Sequence, residues 1–436
     1  MSSWRRRPSS PIPSLLFLLR IRAVKVLLWG AILWLLAFQY CRFRFWRDPH
    51  SAFFDDRHVY DLKYSSSRES EAQRFLSLYN SSSDSPNPVR AGNNPTICIA
   101  FVTVKRNSAD YLGPSIGSLL EGLDPRERQA IHLNIVFADT DPAQHPSWKQ
   151  KWVERLADTA SAYDIPDAQF KNIQEVEKSR NFYVKGVFDY VYALNTCQAI
   201  NAPYTLIFED DIILAEGWMV KTLKALVDLG DASKYNKPWI YLRLFYTETS
   251  LSWTTDDFAY RNMPHIFGFV MFCAFMCLMG FRRLRSRSFH QDSCTVAVIC
   301  LICVPGFLAL VYMAGKLSVI PFRGVVEMNS YGCCTQGLLF PQQQVDGLIQ
   351  YLRGRGHGQT DSMIEEYATE TNLMRYALTP QQLQHVGMQS SRDNTEINTR
   401  STWAFWFEAN DAAVLRKEHE QLLHDKGVET ILNKYG

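Results

Sequence analysis

Tyr204-Thr205-Leu206-Ile207-Phe208-Glu209-Asp210-Asp211-Ile212, with Gly217-Trp218 just beyond, is the stretch from which the rest of the chain is read. Residues 204–208 are apolar and too few for a helix, so the run reads as a strand. Three acids follow at once. In open α/β sheets, ligands bind at the carboxyl ends of strands, and neighbouring carboxylates repel one another unless a cation sits among them. Their oxygens suit hard ions such as Mn²⁺ or Mg²⁺, which share their remaining coordination with phosphates and water. Such an ion clamps a diphosphate and stabilises it as a leaving group. The competing structural reading is an acidic turn that caps the next segment.

Outward from the triplet, short strands alternate with helices. Ile97–Val104 and Leu133–Ala138 read as strands, the second ending in Asp139-Thr140-Asp141-Pro142. Ser115–Leu123, Trp148–Tyr163, Phe182–Ala199 and Trp218–Leu229 carry helical spacing, and Trp239–Tyr246 is a fourth strand. This alternation predicts an α/β fold with a largely parallel sheet. Beyond residue 316 come the run Gly337–Phe340, further helices and Trp403–Phe407, with no independent α/β series. Residues 403–407 read as a core strand, or as aromatics that stack on sugar faces. The expectation is one domain split by an insertion.

That insertion is apolar. Ile266–Phe281 and Thr295–Gly315 flank a short link holding Arg282, Arg283, Arg285 and Arg287, the layout of a transmembrane hairpin with a basic cytosolic loop. A pair of buried core helices is the alternative, but four arginines between them would be costly. Near the start, Val24–Tyr40 is long enough to cross a bilayer core of about 30 Å. It lacks the small residues of a signal-peptide cleavage site, and the first 25 residues carry Arg5, Arg6, Arg7, Arg20, Arg22 and Lys25 without an acid. The positive-inside rule then leaves the N-terminus cytosolic and both soluble parts lumenal. The boundaries expected are a tail 1–22, an anchor 23–41, a lumenal stem and linker 42–93, a first catalytic part 94–262, a hairpin 263–315 with its loop 282–292, and a second catalytic part 316–436.

Lys and Arg (46) nearly balance Asp and Glu (44), so no nucleic-acid footprint is implied. Cys98, Cys197, Cys333 and Cys334 fall on the expected lumenal side, where disulfides are permitted. A buried Cys98 thiol, a vicinal Cys333–Cys334 bridge and pairing among the four all stand open. Asn80-Ser81-Ser82 is a usable glycosylation sequon, whereas proline blocks Asn94-Pro95-Thr96.

The strand followed by Glu209-Asp210-Asp211 resembles the Asp-x-Asp-type motif of metal-dependent GT-A glycosyltransferases. With its inserted hairpin, the arrangement resembles the Golgi N-acetylgalactosaminyltransferases that modify GPI anchors after their attachment to proteins. The resemblance runs through Phe101–Arg106, Lys185–Tyr190, the triplet, Tyr331–Gly337 and Gln384–Gly387. Some of these elements also resemble the N-acetylglucosaminyltransferase IV group, which lacks the hairpin. The resemblance implies that Val102, Thr103, Val104, Lys105, Arg106 and Asp139 border the nucleotide. Lys105, Arg106, Arg180 and Lys185 become candidates to meet phosphates. Asp211 is the first metal ligand, with Glu209 and His385 completing the shell and Asp210 orienting hydroxyls. Tyr246, Thr335 and Gln336 are expected to face the acceptor.

Forming a β linkage from an α-linked donor inverts the anomeric carbon and requires a general base. Asp361, Glu365 and Glu366 follow the glycine-rich stretch 354–358. Asp361 is the first candidate, although Ser362-x-x-Glu365 also has capping-box spacing. The expected reaction moves GalNAc from UDP-GalNAc to the mannose core of GPI-anchored proteins. Another UDP-sugar on another glycan, and a non-enzymatic three-span protein, are the rivals. A catalytic domain tied to the bilayer from within suits a lipid-anchored acceptor, and Trp253, Phe258 and Tyr260 before the second span suit an interface.

Overall fold

Among the described residues, the apolar runs that alternate with turns become ten strands: β1 (Ile97–Thr103), β2 (Ile131–Phe137), β3 (Thr159–Ser161), β4 (Tyr204–Glu209), β5 (Ile212–Leu214), β6 (Trp239–Arg243), β7 (Gly324–Glu327), β8 (Gly337–Pro341), β9 (Met374–Thr379) and β10 (Leu383–His385). The computed structural model describes residues 21–80, 87–106, 110–284, 292–330, 333–387 and 399–435. Arg5, Arg6, Arg7, Arg20, Arg285, Arg287, Tyr331-Gly332 and Ser81-Ser82 of the sequon lie outside them. The described residues divide into two units, one from residues up to 59 and from 251–321, the other from residues 60–250 and 322–436.

The first unit holds three helices long and apolar enough to cross a membrane, Arg22–Arg44, Met263–Arg283 and Ser293–Met313, of 23, 21 and 21 residues. At 1.5 Å per residue each reaches about 30 Å or more, the thickness of a bilayer core. The chain thus fits a multi-pass membrane protein. The first and third helices are keyed together. The Trp34 indole donates to the Gly306 carbonyl at 2.9 Å, and Gly30 lies where a Cβ would come within 2.7 Å of Cys303 Sγ. Below them, buried Asp48 accepts from the backbone and hydroxyl of Ser318 at 3.1 and 2.8 Å. Gly315 (φ +91°) makes that approach possible, because a Cβ there would run into the Asp48 carboxylate.

The second unit is built on an eight-stranded sheet in the order β3-β2-β1-β4-β8-β6-β9-β7, with a two-stranded ribbon β10-β5 beside it. Strands β3, β2, β1 and β4 are parallel, as the alternation with helices predicts. The far half is mixed. Strand β8 runs antiparallel to both β4 and β6, and β7 antiparallel to β9. The sheet is therefore less parallel than expected, because the segment after the hairpin inserts a strand into the series laid down before it. The sheet takes strands from both sides of the insertion.

Three local expectations change. Helix is confined to Lys151–Leu156 within 148–163, and the chain then extends as edge strand β3. Asp158 enforces the break: its carboxylate accepts from Leu133 N at 2.7 Å and Ala91 N at 2.9 Å and pairs with Arg128 at 3.0 Å. The stretch read as stem contributes helix Tyr64–Asn80 to the core, with Tyr64, Leu76 and Tyr79 buried in the main apolar cluster. Its Arg68, 1% exposed, donates to the carbonyls of Leu214, Ser118 and Glu121 and pairs with Glu71 and Glu121. Trp403, Phe405 and Phe407 are buried, but in irregular chain that leads into a short 3-10 turn at Phe407–Ala409 rather than in a strand, and they pack on Tyr60 and Tyr64. Cys98 is no free thiol: it bridges β1 to Cys197 on helix Phe182–Gln198, and Cys333 bonds its neighbour Cys334.

Candidate active site

Glu209 ends β4, and the chain turns through Asp210 and Asp211 into β5. The turn is held from behind. Ser115 Oγ lies 2.6 and 2.7 Å from the Asp210 and Ile212 carbonyls and accepts Ile212 N–H at 3.1 Å. Ribbon β5–β10 pairs Ile212 with His385, and Val386 N donates to Asp211 O at 2.9 Å. This pairing carries His385, distant in sequence, to the triplet. Ligand atoms of Glu209, Asp211 and His385 all lie within 4.8 Å of one another. Gly387 then passes so close that any Cβ would overlap the Asp211 carboxylate.

The charges are arranged around that point. Arg106 reaches Asp210 Oδ1 at 2.5 Å and Asp211 Oδ2 at 2.9 Å, while His385 Nε2 sits 3.3 Å from Asp211 Oδ2. Burial alone would raise the Asp211 pKa, but His385 and Arg106 outweigh it and hold the group below the usual carboxylate range. Burial lifts Asp210 to about 6 against the pull of Arg106. Glu209 is also raised, by burial and then by Asp211. Burial works to lower the His385 pKa, yet Asp211 carries it upward. One carboxylate is thus kept ionised among reluctant neighbours. Oδ1 of Asp211 is buried and has no hydrogen-bond partner among the described residues. Two carboxylates and an imidazole that converge beside such an oxygen fit Mn²⁺ or Mg²⁺ chemically, Mn²⁺ better for the nitrogen ligand.

A buried relay positions Asp210. Ser147 N donates to His145 Nδ1 at 3.1 Å, which puts the imidazole proton on Nε2. That nitrogen lies 2.9 Å from Thr103 Oγ1, which donates to Asp210 Oδ2 at 2.6 Å. Thr103 therefore stands behind the site rather than at a ligand. Sequence patterning gave no sign of His145, whose neighbours in space come from other elements.

In front of the triplet opens a cavity of about 660 Å³, within the 300–1,000 Å³ typical of ligand sites. It gathers Val102, Val104, Lys105, Arg106, Asp139, Lys185, the triplet, Thr335, Gln336, Asp361 and His385 from the expected set. Asp139 accepts from Lys105 N at 2.8 Å, and burial raises its pKa to about 6. Thr335 Oγ1 donates to Glu209 Oε1 at 2.6 Å. Lys185 lines the cavity with its charge already committed. Its Nζ bonds Ala138 O at 2.5 Å, Tyr163 Oη at 2.6 Å and both Asp189 oxygens at 2.9 Å, so an ammonium with three protons has none left for a phosphate.

Other expected residues lie elsewhere. Arg180 is exposed, 5.7 Å from the Phe182 ring, and does not line the cavity. Tyr246 is buried at 4% exposure away from it. Of the three base candidates, only Asp361 borders the cavity, at the first turn of helix Thr360–Glu370. Glu365 points the other way and is locked: its Oε1 accepts from Tyr241 and Arg243 at 2.5 Å each, and Oε2 from Arg375 at 2.6 Å. Fully engaged with two arginines, it cannot serve as a base. Glu366 is exposed and pairs with Arg355 at 3.3 Å. The capping box does not form either, for the helix begins at Thr360 and its N-cap, Gln359, makes no side-chain cap. Asn80 is exposed at the end of its helix.

A strand-end carboxylate cluster facing an open cavity, in a mixed α/β unit of a chain with three apolar helices, is the layout of a membrane glycosyltransferase. The model of one family, described as GPI-N-acetylgalactosamine transferase PGAP4, matches residues 97–384, well over half of the chain, and the chain belongs to that family. The match begins at β1, spans the apolar hairpin and ends one residue before His385. No curated protein matches the chain.

Proposed function

We propose that the chain is an inverting, Mn²⁺- or Mg²⁺-dependent transferase that moves GalNAc from UDP-GalNAc to the mannose core of GPI-anchored proteins in the Golgi lumen. The observation that carries this reading is the junction of Glu209, Asp211 and His385 with Asp361 in one cavity. Asp211, Glu209 and His385 would hold the metal, which supplies Lewis acidity to the diphosphate of the donor. Lys105 and Arg106, at the carboxyl end of β1, would steady the phosphates, and Asp139 would border the uridine.

Asp361 takes the proton of the acceptor hydroxyl as that oxygen bonds to the anomeric carbon. The bond from this carbon to UDP breaks at the same time, and UDP leaves with the electron pair. Displacement from the opposite face gives the β linkage. The family supports a GPI acceptor and a GalNAc donor. The basic N-terminal flank and the basic hairpin loop support a cytosolic N-terminus with both parts of the catalytic unit lumenal.

UDP release by the purified full-length protein should require Mn²⁺ or Mg²⁺, favour UDP-GalNAc over UDP-GlcNAc and UDP-Gal, and fall at least ~100-fold in Asp211→Ala. Metal-independent release, or an Asp211→Ala variant as active as wild type, would overturn the reading. A better yield on N-glycans than on GPI-anchored protein would overturn the acceptor.

A further inference from the structure

Two polar side chains on the wall of the cavity have atoms with no protein partner among the described residues. Tyr190, on helix Phe182–Gln198, is 7% exposed, and its hydroxyl is unbonded. Gln336, 3% exposed, leaves its Oε1 unbonded. Both line the cavity.

Neither is loosely placed. The Tyr190 ring packs edge-on against Phe340 of β8, centroids 6.4 Å apart. Gln336 precedes Gly337, the β8 partner of Phe208, and its backbone carbonyl accepts Glu209 N at 3.4 Å. Tyr190 and Gln336 share the lining of one cavity with Glu209, Asp211, His385 and Asp361, the cavity in which the transferred sugar would lie.

Buried polar atoms are nearly always hydrogen-bonded, and leaving one unpaired is unfavourable. The unpaired set here is one O–H donor and one carbonyl acceptor. A secondary amide offers the complement, a carbonyl acceptor and an N–H donor, and its methyl group suits the apolar Val102, Ile207, Phe208 and Cys334 of the same lining. We propose that Tyr190 and Gln336 read the 2-acetamido group of the transferred sugar, Tyr190 donating to its carbonyl and Gln336 Oε1 accepting from its N–H. This assignment rests on the donor reading above and makes both residues determinants of hexosamine over hexose.

The test uses full-length protein in detergent with Mn²⁺, comparing wild type, Tyr190→Phe and Gln336→Met. UDP release is measured from UDP-GalNAc and from UDP-Gal, and melting temperatures are taken alone, with UDP, and with each donor. Tyr190→Phe should lose ~10- to 100-fold in preference for UDP-GalNAc over UDP-Gal. Its ligand-free melting temperature should equal or exceed wild type, since no internal bond is removed. The extra stabilisation by UDP-GalNAc over UDP should shrink, while that by UDP itself persists. Gln336→Met should lower the same preference, and it carries the test alone if Tyr190→Phe fails to fold.

Equal losses with both donors, or an unchanged preference, in whichever of the two variants folds would overturn the assignment. A wild-type protein that turns over no donor would refute the proposed function instead. In that case the donor-dependent melting shifts still decide the assignment.

Discussion

Replacing Glu365 by glutamine tests how the wall of the cavity is held. Glu365 is 8% exposed and Arg243 1%. Oε1 receives Tyr241 and Arg243, Oε2 receives Arg375, and Arg243 also donates to the carbonyls of Cys333 and Cys334 at 2.6 and 2.9 Å. One carboxylate thus ties helix Thr360–Glu370, which carries Asp361, to the loop that carries Thr335 and Gln336. Glutamine keeps the shape but removes the charge, and its NH₂ must face a donor. Breaking a buried ion pair from one side costs about 3–5 kcal/mol, a large share of the ~5–15 kcal/mol that holds a protein folded. For a unit of this size, roughly 2 °C per kcal/mol gives a fall in melting temperature of about 6–10 °C. Thermal unfolding of wild type, Glu365→Gln and the exposed control Glu366→Gln, side by side in one detergent, provides the measurement. The control should move by about 2 °C or less, because exposed pairs contribute ~0–1 kcal/mol. A Glu365→Gln protein that melts within about 1 °C of wild type would refute the reasoning.

Gly387→Ala should abolish metal-dependent UDP release, since its Cβ would displace the Asp211 carboxylate; retained activity would show that Asp211 need not stand there. Asp361→Asn should lower transfer by about 100-fold or more while leaving donor hydrolysis nearly intact, measured as sugar transferred against UDP released. His419 Nε2 lies 2.8 Å from buried Glu127. Burial lowers the His419 pKa, yet Glu127 outweighs it and the net shift is upward. The pair therefore stabilises the fold fully below the unfolded value of ~6.5, and that stability is lost as pH rises through the raised folded value. Melting temperatures between about pH 5.5 and pH 8.5 should fall with pH in wild type and stay flatter in His419→Gln; parallel profiles would contradict it.

The sequence shows what local pattern controls. The apolar strand before Glu209, the helix over 182–198 and the three apolar spans are visible because period and run length mark them directly. What depends on the far side of an element is not visible. Spacing puts Asp361 and Glu365 on one helix but cannot show that Glu365 meets Arg243 and Arg375, which arrive on β6 and β9. The stretch over 64–80 is polar enough to pass for a stem, because Arg68 is buried by bonds to carbonyls that only the fold supplies. Lys185 looks like a phosphate ligand until Asp189, one helical turn on, and Tyr163 occupy its protons. His145 and Tyr190 carry no motif at all.

The strand order has a consequence for biosynthesis. Strand β6 precedes the apolar hairpin in the chain, yet its neighbours β8 and β9 both follow it, and β4 keeps an open edge until β8 arrives. While the ribosome is still making the hairpin, the part already made holds half a sheet with unpaired edges, a state prone to wrong pairing. With both hairpin spans inserted, the chain returns to the same compartment and the missing strand can reach it. A hairpin that inserted only one of its spans would strand β8 across the bilayer and leave the first half unable to fold. Correct membrane threading is thereby a condition of making the enzyme, and quality control could sense the error as an exposed sheet edge.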